Sequence, residues 1–184
     1  MKITAGLYKD KKINTFSNLN IRPTSSKARQ ALFNILINRY SWNKWCHKAN
    51  LLDAFSGSGV ISIEALSRKI NSATLIEENK SVFKVLENNL RNFELVKKVE
   101  LINENFFDVI LKKKAYDIVY IDPPYYLGYI DRAIQKILSS GALKKNALII
   151  CEAEKSYKYN DGLKNYILSS KNYGKTSITF LNFL

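Results

Sequence analysis

The sequence predicts an α/β fold, a mostly parallel sheet covered by helices on both faces and finished by antiparallel strands. Three observations lead there. From residue 50 onward, short β-rich runs alternate with stretches of helical periodicity. The first of those runs ends in a glycine-rich turn that opens a helix, Ser56-Gly57-Ser58-Gly59. The tail breaks the rhythm, with two β-rich runs joined near Asn172-Tyr173-Gly174, a hairpin signal.

The elements follow in order. Asn50–Ala54 reads as a strand, and Val60–Arg68 as a helix with Ile61, Ala65 and Leu66 at helical spacing. Ala73–Ile76 is a second strand. Ser81–Phe93 is a helix with Val82, Val85, Leu86 and Leu90 on one face. Val99–Ile102 and Tyr116–Ile121 are strands, Ile130–Leu138 a helix, and Ala147–Cys151 a fifth strand. Leu163–Ser169 and Lys175–Phe183 are the antiparallel pair.

The first 49 residues differ. Lys2–Tyr8 and Lys12–Phe16 read as short strands. Arg22-Pro23-Thr24 is an extended stop, because a residue before proline is pushed out of the α region. Thr24 or Ser25 can cap a helix over Lys27–Arg39 with Ala28, Ala31, Leu32, Ile35 and Leu36 as its apolar stripe. Lys27 and Arg29 stand at its start, against the helix dipole, which points to a role other than helix stability.

Composition narrows the class. With 184 residues, 46% of them apolar, the chain suits one packed domain: a basic extension over residues 1–49 and a core over 50–184. No apolar run approaches the roughly 20 residues of a membrane span, and the N-terminus has no secretory pattern, so a cytoplasmic location without a membrane partner is expected. Cys46 and Cys151 form no ligand-like cluster with His47, so no metal is expected. The formal charge is +13, and residues 1–49 carry ten Lys/Arg against the single acid Asp10, a net of +9. Such crowding is the footprint of a polyanion contact.

Two motifs carry chemistry. In Asp53–Gly59 the glycines allow a tight turn and close approach to a ligand. Glu77, 20 residues after Gly57 at the end of the next strand, stands where a ribose-binding acid belongs, with Glu78 as the fallback. Ser62 stands after the glycines with no third glycine, and an acid precedes them, so a pyrophosphate cofactor fits poorly. A cationic, phosphate-free ligand such as S-adenosylmethionine fits. Asp122-Pro123-Pro124-Tyr125 follows an apolar strand. Its prolines fix the backbone and remove two donors, leaving the Asp122 carboxylate and backbone carbonyls as rigid acceptors. Such acceptors suit a poorly nucleophilic aromatic amine, and Tyr125 offers a face for stacking a base.

Arg22-Pro23-Thr24 with Lys27–Leu36, Leu52–Gly59 with Glu64–Arg68, Ala73–Glu77, Asp122–Tyr125 and Tyr173–Thr176 together resemble the RsmD-type 16S rRNA guanine-N2 methyltransferases over nearly the whole chain. The resemblance implies a Rossmann-like, seven-strand class I methyltransferase sheet with a small N-terminal hairpin and helix extension. It implies methyl transfer from S-adenosylmethionine to the N2 amine of a guanine in 16S rRNA, in the small ribosomal subunit or its assembly intermediate, by a monomer. By the same resemblance Asp53, Phe55, Gly57 and Gly59 line the cofactor, Glu77 holds its ribose, and Asn105 and Phe106 meet the adenine. Asp122, Pro123 and Tyr125 hold the guanine, and Arg22, Lys27 and Arg29 face RNA. Gln30 replaces a usual acid, Tyr125 a common Phe, and Tyr126-Leu127-Gly128 lacks the basic residues of many relatives. Two other readings remain: a DNA amino-methyltransferase, which usually needs a further recognition domain, and a non-catalytic RNA-binding or assembly protein on the same fold.

Overall fold

The computed structural model describes residues 1–16, 25–124 and 128–183. Arg22-Pro23-Thr24 and Tyr125 therefore lie outside the described residues. The elements are α1 (Ser26–Arg39), α2 (Trp42–Trp45), β1 (Asn50–Asp53), α3 (Val60–Ser67), β2 (Ser72–Ile76), α4 (Lys80–Asn92), β3 (Val99–Ile102), β4 (Tyr116–Ile121), α5 (Tyr129–Ser140), β5 (Leu143–Glu154), α6 (Asp161–Lys164), β6 (Ile167–Tyr173) and β7 (Thr176–Leu181). They form a seven-stranded sheet in the order β3-β2-β1-β4-β5-β7-β6. The first five strands of that order run parallel, and β7 pairs antiparallel with β5 and β6.

Neighbouring strand residues feed opposite faces, and both faces are apolar. Leu51, Ile118, Tyr120, Ile150 and Phe180 pack into one core with α1, α3 and α4. Their neighbours Leu52, Val119, Ile121, Cys151 and Leu181 pack into the other with α5. This is why the central strands read as near-continuous apolar runs. Each fully buried Leu or Ile contributes about 1.5–3 kcal/mol. Among the described residues no helix is long and apolar enough to cross a membrane.

Three expected elements differ from the fold. Leu163 belongs to the short helix α6, not to a strand, because Asn160 caps that turn through Gly162 N at 3.0 Å. Thus β6 begins at Ile167. The expected N-terminal strands reduce to one antiparallel bridge between Lys2 and Lys12. The backbone between them turns away to bond the end of α3: Leu7 N donates to Ser67 O at 2.9 Å and Tyr8 N to Ser67 Oγ at 2.9 Å. The sequence pattern also left α2 unmarked. It forms because Trp42 is buried edge-on against Phe33, with ring centroids 5.7 Å apart, and donates Nε1–H to Arg68 O.

The expectation for Arg29 is corrected. Ser25 caps α1 by accepting from Ala28 N, and Lys27 is exposed on the first turn. Arg29 is 0% exposed. Its Nε lies 3.4 Å from Glu64 Oε1, and its Nη2 donates to Lys2 O at 2.9 Å. Glu64, itself buried, also pairs with Arg68 and accepts from Thr4 N at 2.8 Å. A cation against the helix dipole here ties α1, α3 and the N-terminal segment together, and it is not available to RNA.

Candidate active site

The sheet order creates the site. From β1 the chain moves outward through β2 and β3, then returns to the other side of β1 as β4. Connections therefore diverge at the carboxyl ends of β1 and β4, and the crevice between them is where ligands of open α/β sheets bind. Asp53 pairs with Tyr120 across this junction, and Ala54 N donates to Tyr120 O at 3.0 Å. The glycine turn and Asp122-Pro123-Pro124 thus leave the sheet side by side.

The turn is fastened on several sides. Ser56 N donates to Ile76 O at 2.9 Å, and Gly57 N donates to Glu77 Oε2 at 3.0 Å. Glu77 Oε1 accepts from Asn79 N at 2.8 Å. Gly59, at φ +77°, adopts a backbone conformation that L side chains rarely take, and a Cβ there would also press on Leu86 Cδ1 at 2.4 Å. Gly57, at φ +53°, is different: a Cβ would meet nothing within 4 Å. The backbone at Gly57 is therefore open to a ligand. Asn89, which the sequence pattern did not single out, donates to Ser58 O at 2.9 Å while exchanging bonds with both Asn14 N and Asn14 O. It couples the turn to the N-terminal segment. Its only signal was a polar residue inside the apolar face of α4.

Beside the turn runs a narrow groove walled by Phe55, Phe106, Phe107 and Tyr129, with Glu77, Glu78, Glu104 and Asn105 at its polar edge. Phe55 lies 5.2 Å from Phe106 and 6.2 Å from Phe107, centroid to centroid. Asn105 Nδ2 donates to Glu78 Oε2 at 2.6 Å, so the fallback acid is engaged with Asn105 while Glu77 holds the turn. The groove encloses about 40 Å³, little more than one water's share of liquid. A purine would need the aromatic side chains to part. Three carboxylates and no Lys or Arg line it among the described residues. Both Glu77 oxygens keep acceptor capacity for hydroxyls beyond their backbone bonds. The donor set suits a cationic nucleoside and disfavours a pyrophosphate. Burial pushes the Glu77 carboxyl above its usual range, against the pull of the Asn79 and Gly57 N–H groups.

Asp53 sits beneath the turn and is 1% exposed; it accepts from Ser62 Oγ at 2.7 Å. Burial pushes its pKa up to about 7, with the Ser62 bond opposing and the Glu77 charge adding to the rise. A cation bound above it favours the ionised form. S-adenosylmethionine affinity should therefore increase as pH rises through about 7, with a proton released on binding. Calorimetry in buffers of different ionisation enthalpy reads that proton; buffer-independent heats would contradict the coupling. Without ligand the sign is opposite. Asp53 contributes stability that is complete below its ordinary pKa of 3.8 and lost as pH rises through about 7.

A larger cavity of about 380 Å³ is lined by Pro123, Pro124, Asp131, Glu152 and Tyr157 among others. Tyr157 Oη donates to Asp131 Oδ1 at 2.9 Å. Tyr120 Oη donates to Glu152, which is 4% exposed.

A family model described as "Conserved hypothetical protein 95" matches residues 1–182. A Buchnera aphidicola protein named ribosomal RNA small subunit methyltransferase D is 38% identical over 83% of this chain and 78% of its own length. Its Haemophilus influenzae namesake is 32% identical over 84% and 79%. This chain belongs to the RsmD family. A solved Escherichia coli structure that carries a methyltransferase name shares the fold of this RsmD family member with a TM-score of 0.82 at 28% identity, covering 99% of this chain and 97% of that one.

In this member of the RsmD family, Phe55, Glu77, Asn105 and Phe106 line the groove, Gly57 is bonded to Glu77 beside it, Pro123 lines the larger cavity, and Asp122 leaves the end of β4 next to β1. Asp53 and Gly59 support the glycine turn from below. Lys27 is exposed at the start of α1, and Arg29 is withdrawn into the core. Sequence reasoning missed Phe107, Tyr129 and Glu152. Phe107 is held by Arg132, whose guanidinium lies 4.0 Å from its ring centroid, and by Lys136 Nζ, which donates to Phe107 O at 2.8 Å.

Proposed function

We propose that this chain transfers a methyl group from S-adenosylmethionine to the exocyclic N2 amine of one guanine in 16S rRNA, within the small ribosomal subunit or an assembly intermediate. It acts as a monomer in the cytoplasm. The observation that carries the reading is the adjacency of the two motifs, fixed by the pairing of Asp53 with Tyr120. That adjacency sets a rigid acceptor cluster beside an acidic, phosphate-averse nucleoside groove. Membership of the RsmD family supports ribosomal RNA as the polymer.

S-adenosylmethionine, when bound, supplies an electrophilic methyl group on a sulfonium. Glu77 would hold the ribose hydroxyls, with Asn105 and the Phe55, Phe106 and Phe107 rings at the base. The Asp122 carboxylate and the neighbouring carbonyls would accept the N–H groups of the amine and favour the positive charge that grows on nitrogen as it attacks. The prolines hold those acceptors still, so positioning costs little at the moment of reaction. Tyr125 would stack on the guanine. The amine proton leaves towards Asp122 and solvent.

Incubation with labelled S-adenosylmethionine and small subunits from cells lacking the protein should label 16S rRNA. Label in duplex DNA with none in ribosomal RNA would establish the DNA reading instead. Calorimetry showing no cofactor binding would establish the non-catalytic reading. RNA affinity gives a further expectation. Lys27→Ala should flatten the salt dependence of binding by about one phosphate contact, ~0.7–0.9 in log–log slope. An unchanged slope would remove Lys27 from the RNA surface.

A further inference from the structure

We propose that Glu152 is the specificity-determining residue that selects guanine, by accepting the N1–H beside the target amine. The inference rests on the guanine-N2 reading above. The second half of β5 is apolar from Ala147 to Cys151, yet the next residue, Glu152, is a carboxylate only 4% exposed. Taking a carboxylate out of water costs several kcal/mol, so a group kept there needs hydrogen-bond donors. Tyr120 Oη supplies one. A carboxylate has about four acceptor positions, and Glu152 also lines the 380 Å³ cavity beside Pro123 and Pro124.

Its position relative to Asp122 follows from register. Tyr120 pairs with Ile150 and Ile121 with Cys151, so Asp122 leaves β4 level with Glu152 on the neighbouring strand. Parallel neighbours lie about 4.8 Å apart. Glu152 thus lines the cavity together with Pro123, and Asp122 immediately precedes Pro123 at the end of the neighbouring strand. Guanine presents two adjacent donor groups on its pairing edge, the N2 amine and N1–H. With Asp122 on the amine, Glu152 takes N1–H. Adenine carries an unprotonated N1, and its lone pair would face a carboxylate. Other acids of the cavity are less suited. Asp131 is held by Tyr157 as Glu152 is by Tyr120, but it lies on α5 and not on the strand beside β4, and Glu154 is exposed.

A site built to hydrogen-bond a donor rejects an analogue that lacks it far more strongly than shape alone allows. The test uses small subunits rebuilt with either guanine or 2-aminopurine at the methylated position. 2-Aminopurine keeps the N2 amine and loses N1–H. The wild-type protein should prefer guanine by roughly 10²-fold or more in kcat/KM. Glu152→Gln, whose amide can donate to an unprotonated N1, should narrow that preference by at least about 10-fold with cofactor affinity unchanged. Equal wild-type rates on the two substrates overturn the inference, whether or not the variant folds. So does a Glu152→Gln protein with the wild-type preference, or one that loses both substrates in proportion together with cofactor affinity, which marks a structural role. Wild-type inactivity on the guanine subunits instead overturns the methyl-transfer reading itself.

Discussion

Replacing Asp122 with alanine is expected to slow methyl transfer by about 10²–10³-fold while leaving S-adenosylmethionine affinity nearly unchanged. The split follows from geometry. Asp122 lies at the end of β4, beyond the strand residue that bonds Ala54, whereas the groove expected to hold the nucleoside is formed by Phe55, Glu77, Asn105 and their neighbours. On the proposed mechanism Asp122 acts when charge develops on the nitrogen, not when the cofactor binds. Single-turnover rates with saturating subunits, set beside calorimetric cofactor affinity, separate the two. Near-wild-type turnover would mean that the amine is held by other groups. A parallel fall in cofactor affinity would mean that Asp122 belongs to the nucleoside groove.

The second large effect is on stability. Glu64→Ala should destabilise the protein by about 3–5 kcal/mol, because it leaves Arg29 buried without its carboxylate. It also removes the acceptor of Thr4 N, so the N-terminal segment should detach from α3. Denaturant midpoints read the loss. Hydrogen exchange at Thr4 and Leu7 should rise with it, since both donate to α3. Arg29→Met should cost less than Glu64→Ala: an apolar side chain of similar length can fill the space, although Glu64 keeps Arg68 as partner. If Arg29 variants stay fully stable but lose RNA affinity, the buried pairing is wrong and the sequence-based placement of Arg29 on the RNA surface is right.

Arg29 shows where sequence reasoning stops. Its charge and its place at a helix start were legible; its partner lay 35 residues away, in a helix read as apolar. Charge counting treats all ten cations of residues 1–49 as surface, and only long-range packing reveals that Arg29 is not. The central fold was legible for the opposite reason. Strands such as Ile118–Ile121 are buried on both faces, so their apolar runs are continuous and local. The N-terminal hairpin is there, but its strands were read too long: Ile3 N and Ile13 N bond across it, whereas Thr4, Leu7 and Tyr8 spend their N–H groups on Glu64 and Ser67 of α3, a choice made by tertiary contact. In the site, Asp53, Gly57 and Asp122 were visible because turns and strand ends punctuate the sequence. Glu152 and Phe107 carry no such punctuation. The first is one acid in a strand, the second one ring in a loop, and each gains meaning only from the neighbouring strand or helix.

The most direct measurement is mass spectrometry of nucleosides from 16S rRNA of cells lacking this protein. The predicted result is the loss of a single N2-methylguanosine, restored by the wild-type chain and not by Asp122→Ala. An unchanged 16S rRNA, or a methyl group lost from another RNA or another nucleobase atom, would contradict the account.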